Sequence, residues 1–351
     1  EKLIFHNEIG NVSEKILRLK TLVTFLSNGL KSTEKKYLLE AADLCKNDLV
    51  SEIVREFPSL QGVMGKYYIL KSGQHIEVAN AVQSHYKPQG PTDDIPNTLL
   101  SRLLSIADKI DNLVGFFIID KYPTGSKDPF ALRRTALGVI RVLIEGEVSV
   151  DIAALIEKSL KSYVNSFHQN KLKNHFESEV IKQKVLGFLL ERYENLIKED
   201  KKIDFVVFNS LKINTKKLNI LEIHSKGKIL TNYINTKEGK LFLSSFKRVI
   251  NIIDSDLLKK QSFTVPDLGL LSTKEELNLF KLVNGNKKFV ATNDFDFLNK
   301  LSIPIKNFFD NVTIKDRDKK LRQNRINLLG MINTKVNILA NFSMIIKGKE
   351  L

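Results

Sequence analysis

The sequence predicts an all-α fold of several stacked helical bundles. Three observations carry the all-α part. Apolar residues recur at three- and four-residue steps through most of the 351 residues. Pro, Gly and Asn clusters interrupt that pattern at helix-length intervals. The one β-like run, "KIDFVVFNSL", has no partner strand in view. A chain that is 42% hydrophobic and 27% charged can bury ordinary cores, and its length suits two or three domains.

The elements follow in order. "VSEKILRLKTLVTFL" (12–26) sets Ile16, Leu19, Val23 and Leu26 on one helical stripe, with Asn11 or Ser13 as its cap. Residues 33–57 read as a second, longer helix, and Pro58, Gly62 and Gly65 mark the turns after it. Residues 75–86 form a short helix and 87–96 a loop. From Asn97 to about Ile119 runs an amphipathic helix with the stripe Leu99, Leu103, Ile106, Ile110, Leu113 and Phe117. In "YPTGSKDPFALRRTALGVIRVLIEG" (122–146), Asp128 is a good N-cap, Pro129 suits the first helical position, and Gly146 stops the helix. Leu132, Ala136, Val139 and Leu143 take its core face, which turns Arg134 and Arg141 outward. Two helices fill 151–200, the 201–240 stretch reads as helical, and the last hundred residues read as four or five helices broken near Pro266, "NGN" (284–286) and Pro304.

Charge is unevenly placed. The net +15 divides into +1 for residues 1–150 (19 Lys and Arg against 18 Asp and Glu) and +14 for the remainder (36 against 22). A basic half is the electrostatic footprint of a polyanion partner. Lys315, Arg317, Lys319, Lys320 and Arg322 crowd the stretch before and within one helix start, as phosphate contacts need. Arg325 instead projects onto the apolar stripe and needs an ion-pair partner. No apolar run approaches the roughly 18 residues of a membrane span. The opening "EKLIFHNEIG" has none of the marks of a signal peptide. A single cysteine, Cys45, cannot close an internal disulfide and fits a reducing, cytoplasmic setting.

Catalytic signatures are missing from the sequence. The six histidines show no HExxH spacing, and His168 with His175 make at best a two-histidine pair on one face. There is no phosphate-binding GxxxxGK[ST] loop and no GxSxG elbow. Asp108 and Asp111 stand three apart, off the core stripe, and read as solvated carboxylates, as holders of a metal, or as acceptors of bonds from an Arg.

Three stretches carry a resemblance: "EAADLCKNDLVSEIVREFPSLQGVMGKYY", "IADKIDNLVGFF" and "PTGSKDPFALRRTALGVIRVL". They resemble the β subunit of the bacterial heterotetrameric glycyl-tRNA synthetase, and "KDRDKKLRQNRINLLGMI" is similar to a DALR-type anticodon-binding domain. The resemblance implies the C-terminal portion of a longer chain. It implies an HD-like domain over 1–148, a connecting region over 149–235 and an anticodon-binding bundle over 236–351. It further implies an α2β2 enzyme, with ATP, Mg and glycine on the α subunit, no cofactor or catalytic residue on this chain, and the glycine tRNA as partner. HD phosphohydrolases hold metal through a His-Asp pair, a further His and a distant Asp. Here "LCKND" leaves Cys45, Lys46, Asp48, Asp108 and Asp111 as a degenerate site without metal. Lys127, Arg133, Arg134 and Arg141 are the expected contacts on the acceptor side, and Lys315, Arg317, Lys319, Lys320 and Arg322 those on the anticodon side. The alternatives are an HD-type metal-dependent phosphohydrolase and a non-specific RNA-binding scaffold.

Overall fold

The computed structural model describes residues 3–167, 177–211, 213, 215–253, 263–285 and 295–349. His168 and His175 lie outside the described residues. The chain enters its first helix through a reciprocal cap. Strands β1 (Ile4–His6) and β2 (Gly10–Asn11) form a short antiparallel ribbon. Asn11 then accepts from the Glu14 amide at 2.8 Å while the Glu14 carboxylate accepts from the Asn11 amide at 2.8 Å, which satisfies two orphan donors at the start of α1 (Val12–Leu26).

The helix expected over 33–57 is divided. α2 (Ser32–Leu44) ends where Asp48 turns inward, and a 3-10 turn leads to α3 (Glu52–Glu56). The Asp48 carboxylate accepts from the amides of Gly62 at 2.6 Å and Gly65 at 3.1 Å. Gly62 holds a φ of +80°, and a Cβ on Gly65 would crowd Asp48, so both glycines are needed for this buried turn into α4 (Val63–Lys71). α5 (Ile76–Ser84) follows.

α6 (Leu99–Ile118) is the axis of the first unit and packs against α1, α2, α5, α7 (Leu132–Glu145) and α8 (Ile152–Phe167). Surrounded in this way, it buries its polar side as well as its apolar stripe. Leu99 departs from the expected stripe: at the first position it remains 42% exposed. α7 begins at Leu132, three residues after the expected start. Asp128 still caps it, accepting from the Leu132 amide at 2.8 Å and the Arg133 amide at 3.0 Å. Ala131 takes a left-handed φ of 54°, so Pro129 sits in the turn rather than in the helix.

The remaining elements are α9 (Ser178–Asp200), α10 (Phe205–Ser210), α11 (Ile220–Asn235), α12 (Lys237–Ile253), α13 (Lys274–Gly285), α14 (Phe295–Asn311), α15 (Lys319–Val336) and α16 (Phe342–Gly348). Within 201–240 the described residues carry α10, α11 and the start of α12 and no strand, in line with the helical reading of that stretch. Pro304 does not break α14. The carbonyl of Lys300, which loses its amide partner, belongs to an exposed residue, while Leu301, Ile305 and Phe308 hold the helix in the core. Among the described residues no helix is long and apolar enough to cross a membrane.

The chain forms two units, Glu1–Leu196 with Asn214–Glu222, and Ile197–Ile213 with Ile223–Leu351. The second is built on Phe242, Phe246, Phe308, Leu328, Ile332 and Phe342, all completely buried. Phe308 is therefore core, whereas Phe309 is half-buried with the Arg248 guanidinium 4.6 Å above its ring.

Candidate RNA interface and buried charge cluster

The first unit encloses a cluster of charges around α6. Asp108 and Asp111 are buried, at 4% and 0% exposure. Lys15 Nζ lies 3.0 Å from both carboxylates and donates to Asn112 Oδ1 at 2.7 Å. Arg18 Nε donates to Asp111 at 2.7 Å, and its guanidinium stacks 4.1 Å over the Tyr163 ring. Tyr163 in turn donates to the Asp111 carbonyl at 3.0 Å. Lys46 Nζ stands 3.2 Å from Asp108 Oδ1 and 2.7 Å from His85 Nε2. Of the sequence readings of the carboxylates, pairing with cations is the observed one. The projection off the core is corrected, because helices cover α6 on that side too.

Electrostatics follow from the geometry. Burial opposes ionisation of Asp108, but Lys15 and Lys46 overcome it and hold its carboxyl far below the usual range. Asp111 is lowered in the same way by Lys15 and Arg18 against its burial. Burial likewise disfavours the Lys46 ammonium, yet Asp108 raises its pKa. His85 is pushed well below its ordinary value by burial and by Lys46. Lys46 therefore donates to Nε2, and Nδ1 carries the proton facing the Val82 carbonyl 2.7 Å away. Burial lowers Lys109 to about 8, where its ammonium is held by the carbonyls of Tyr86 and Lys87 and by Ser105 Oγ.

The five residues of the degenerate site divide by position. Lys46, Asp108 and Asp111 join the cluster. Cys45 is buried with its thiol on the Ala42 carbonyl and its pKa pushed up to about 12 by burial, which leaves it unreactive. Asp48 faces the glycine turn. Among the described residues no three His, Cys, Asp or Glu side chains converge as a metal site requires. The lone pairs that a cation would use on Asp108 Oδ1 and on Asp111 already face ammonium and guanidinium groups.

The arginines expected on the acceptor side also divide. Arg133 donates to the carbonyls of Gly125 and Lys127 and so braces the loop before α7. Arg141 donates to the carbonyls of Gly90, Pro91 and Asp93 and pairs with Glu145. The Lys127 and Arg134 side chains are exposed, with no partner for either charged group among the described residues. In the second unit Lys315, Arg317, Lys319, Lys320 and Arg322 are all exposed and likewise unpartnered among the described residues, at the N-terminal end of α15. Asp318 caps that helix through the amides of Lys320 and Leu321. Arg325, one turn further, is buried as its projection predicts. It donates to Glu276 at 2.6 Å, to Asp316 at 2.8 Å and to the Thr313 carbonyl at 2.9 Å, which fixes the cationic loop against the helix.

Sequence reasoning missed Lys15, Arg18 and His85. Lys15 and Arg18 were visible as charges in register with Leu19, Leu22 and Leu26 on the buried side of α1. Such a pattern demands buried counter-charges. Nothing local marked His85.

A family model for the glycyl-tRNA synthetase beta subunit matches residues 1–211. The glycine–tRNA ligase beta subunit of Rickettsia conorii is 36% identical over 351 residues, covering 98% of this chain and 49% of its own. That of Rickettsia felis is 37% identical over 350 residues, covering 97% and 48%. That of Rickettsia bellii is 34% identical over 343 residues, again covering 97% and 48%. The chain thus spans about half the length of the curated relatives it matches. With more than half of its residues matched by the family model, the chain belongs to the glycyl-tRNA synthetase beta subunit family.

Proposed function

We propose that this chain is the tRNA-gripping part of a glycine–tRNA ligase. It holds tRNA(Gly) so that an α subunit, which carries ATP, Mg and glycine, attaches glycine to the tRNA 3′ end in an α2β2 complex in the cytoplasm. Residues 1–148 act as the HD-like domain, 149–235 as the connecting region and 236–351 as the DALR-type anticodon-binding bundle. The observation that carries this reading is the row of five exposed, unpartnered cations at the start of α15. Internally paired arginines do not recruit phosphate; unpaired exposed ones do. On the acceptor side Lys127 and Arg134 make the phosphate contacts; Arg133 holds the loop that presents Lys127, and Arg141 holds the 90–93 loop before α6.

The phosphohydrolase alternative is disfavoured by the chemistry of the cluster, since Lys15, Lys46 and Arg18 occupy carboxylate positions that a hydrolytic metal would need. The test is binding of this chain to the glycine tRNA and to a non-cognate tRNA across a salt series. A cognate preference surviving at about 0.2 M salt supports the reading. Equal binding that collapses with salt leaves only a polyanion grip. Lys127→Ala with Arg134→Ala should weaken binding while helicity is retained.

A further inference from the structure

Above Asp108 the first unit carries an open cavity of about 450 Å³, within the size range of small-ligand sites. Its polar groups include two whose capacity is unspent. Asp108 is almost wholly buried, and neither of its carboxylate oxygens accepts a hydrogen bond among the described residues, Oδ1 only facing the Lys15 and Lys46 ammonium groups at 3.0 and 3.2 Å. Asn112, one turn further along α6, uses its Oδ1 to accept from Lys15 and keeps its amide donor free of partners among the described residues. An acceptor residue and a donor residue, one turn apart on α6, therefore line the cavity together.

The walls are aromatic and fixed in orientation. Phe130 stacks on Phe116 with ring centres 4.2 Å apart. Tyr86 is packed against His85 and beneath the Lys46 ammonium, 4.0 Å from its ring. Arg134, unpaired, lines the cavity from α7.

We propose that this cavity receives one unstacked nucleotide of the bound RNA, its base between Phe130 and Tyr86, its polar edge on Asp108 and Asn112, and its phosphate on Arg134. Every nucleobase offers a flat face and an edge carrying hydrogen-bonding groups, and RNA recognition uses both. A bare anion meets a carboxylate at the floor. A metal cation meets the ammonium groups of Lys15, Lys46 and Lys109. A small amino acid leaves most of the volume unfilled. The inference rests on the RNA-binding reading above, and it adds a site for a single base to what was a phosphate grip.

The probes are the four nucleoside 5′-monophosphates and inorganic phosphate, titrated into the full chain by calorimetry or NMR, beside the glycine tRNA. At least one monophosphate should bind, with inorganic phosphate weaker by about ten-fold or more, the scale of a base stack. Thr135→Phe, which fills the cavity from α7, and Asn112→Ala, which removes the donor, should each weaken nucleotide and tRNA binding by about ten-fold while circular dichroism is unchanged. If Thr135→Phe disturbs folding, Asn112→Ala decides. Binding of tRNA that neither variant alters, or inorganic phosphate binding as tightly as any nucleotide, overturns the cavity proposal and leaves the RNA-binding reading standing. Nucleotide binding with no tRNA binding overturns both.

Discussion

His85 is held neutral by its surroundings, and that makes unit stability depend on mild acid. The ring is fully buried, faces the Lys46 ammonium at 2.7 Å through Nε2 and meets the Val82 carbonyl through Nδ1. A second proton would place two cations in hydrogen-bond contact inside the core. The folded chain therefore refuses the proton that the unfolded chain accepts near pH 6.5. Below that pH the unfolded state binds more protons than the native state, and stability falls as pH falls. The loss is about 1.4 kcal/mol per pH unit once below 6.5, so the step from about pH 7 to about pH 5.5 costs about 1.3 kcal/mol from this residue. The assay is urea denaturation read by pulsed hydrogen exchange on peptides of α6, which isolates the first unit. His85→Gln provides the comparison, because its side-chain oxygen can accept from Lys46 and it does not titrate. The parent should lose about 1.3 kcal/mol more than the variant over that pH interval. Equal losses would show that His85 takes up a proton in the fold, and the tautomer assignment would fail with it.

Other perturbations test the same logic elsewhere. Asp111→Ala leaves the buried Arg18 without its carboxylate and Lys15 with Asp108 alone, and should destabilise the first unit by about 3–5 kcal/mol, measured by the same α6 exchange readout. Arg325→Ala strips Glu276 of its buried partner and should cost the second unit a similar amount, about 3 kcal/mol or more, in a urea titration followed on peptides of α15. Lys319→Ala with Arg322→Ala touches no internal bond, so thermal melting should be unchanged. The slope of log affinity for tRNA against log salt should flatten by about 1.4, two single-strand phosphate contacts.

The helices were legible because helical periodicity is written locally. α1 and α6 were placed almost to the residue, and Arg325 betrayed its burial by projecting onto its own apolar stripe. What stayed hidden depends on partners distant in sequence. The break after Leu44 arises because Asp48 finds the amides of Gly62 and Gly65, and no periodicity encodes that. The continuity of α14 through Pro304 arises because tertiary packing outweighs one lost hydrogen bond on an exposed turn. Asp108 and Asp111 looked solvated on a wheel with one apolar stripe; a helix covered on several sides has no solvent face at that place. The division of the arginines was also unreadable. Arg133, Arg134 and Arg141 share a motif, but which of them is free depends on the loop carbonyls of Gly125, Gly90 and Pro91.

The cluster around α6 bears on the proposed recognition through the geometry it imposes. Two carboxylates face three cations within the core, from α1 and from the segment after α2. Each of these charges is costly to bury alone, so the arrangement is more a device for geometry than a source of stability. Removing any one member exposes the others to that cost, and α1, the segment after α2 and α6 are thereby held in one register. Lys109 extends the constraint by gripping the carbonyls of Tyr86 and Lys87, which sets the Tyr86 wall of the cavity, while Asp128 and Arg133 fix the loop that carries Phe130 and presents Lys127. The charges satisfied internally thus position the few that are left unsatisfied. Asp108 Oδ2, the Asn112 amide, Lys127 and Arg134 remain available on a rigid frame, and a pre-organised frame is what allows a few weak contacts to select a ligand.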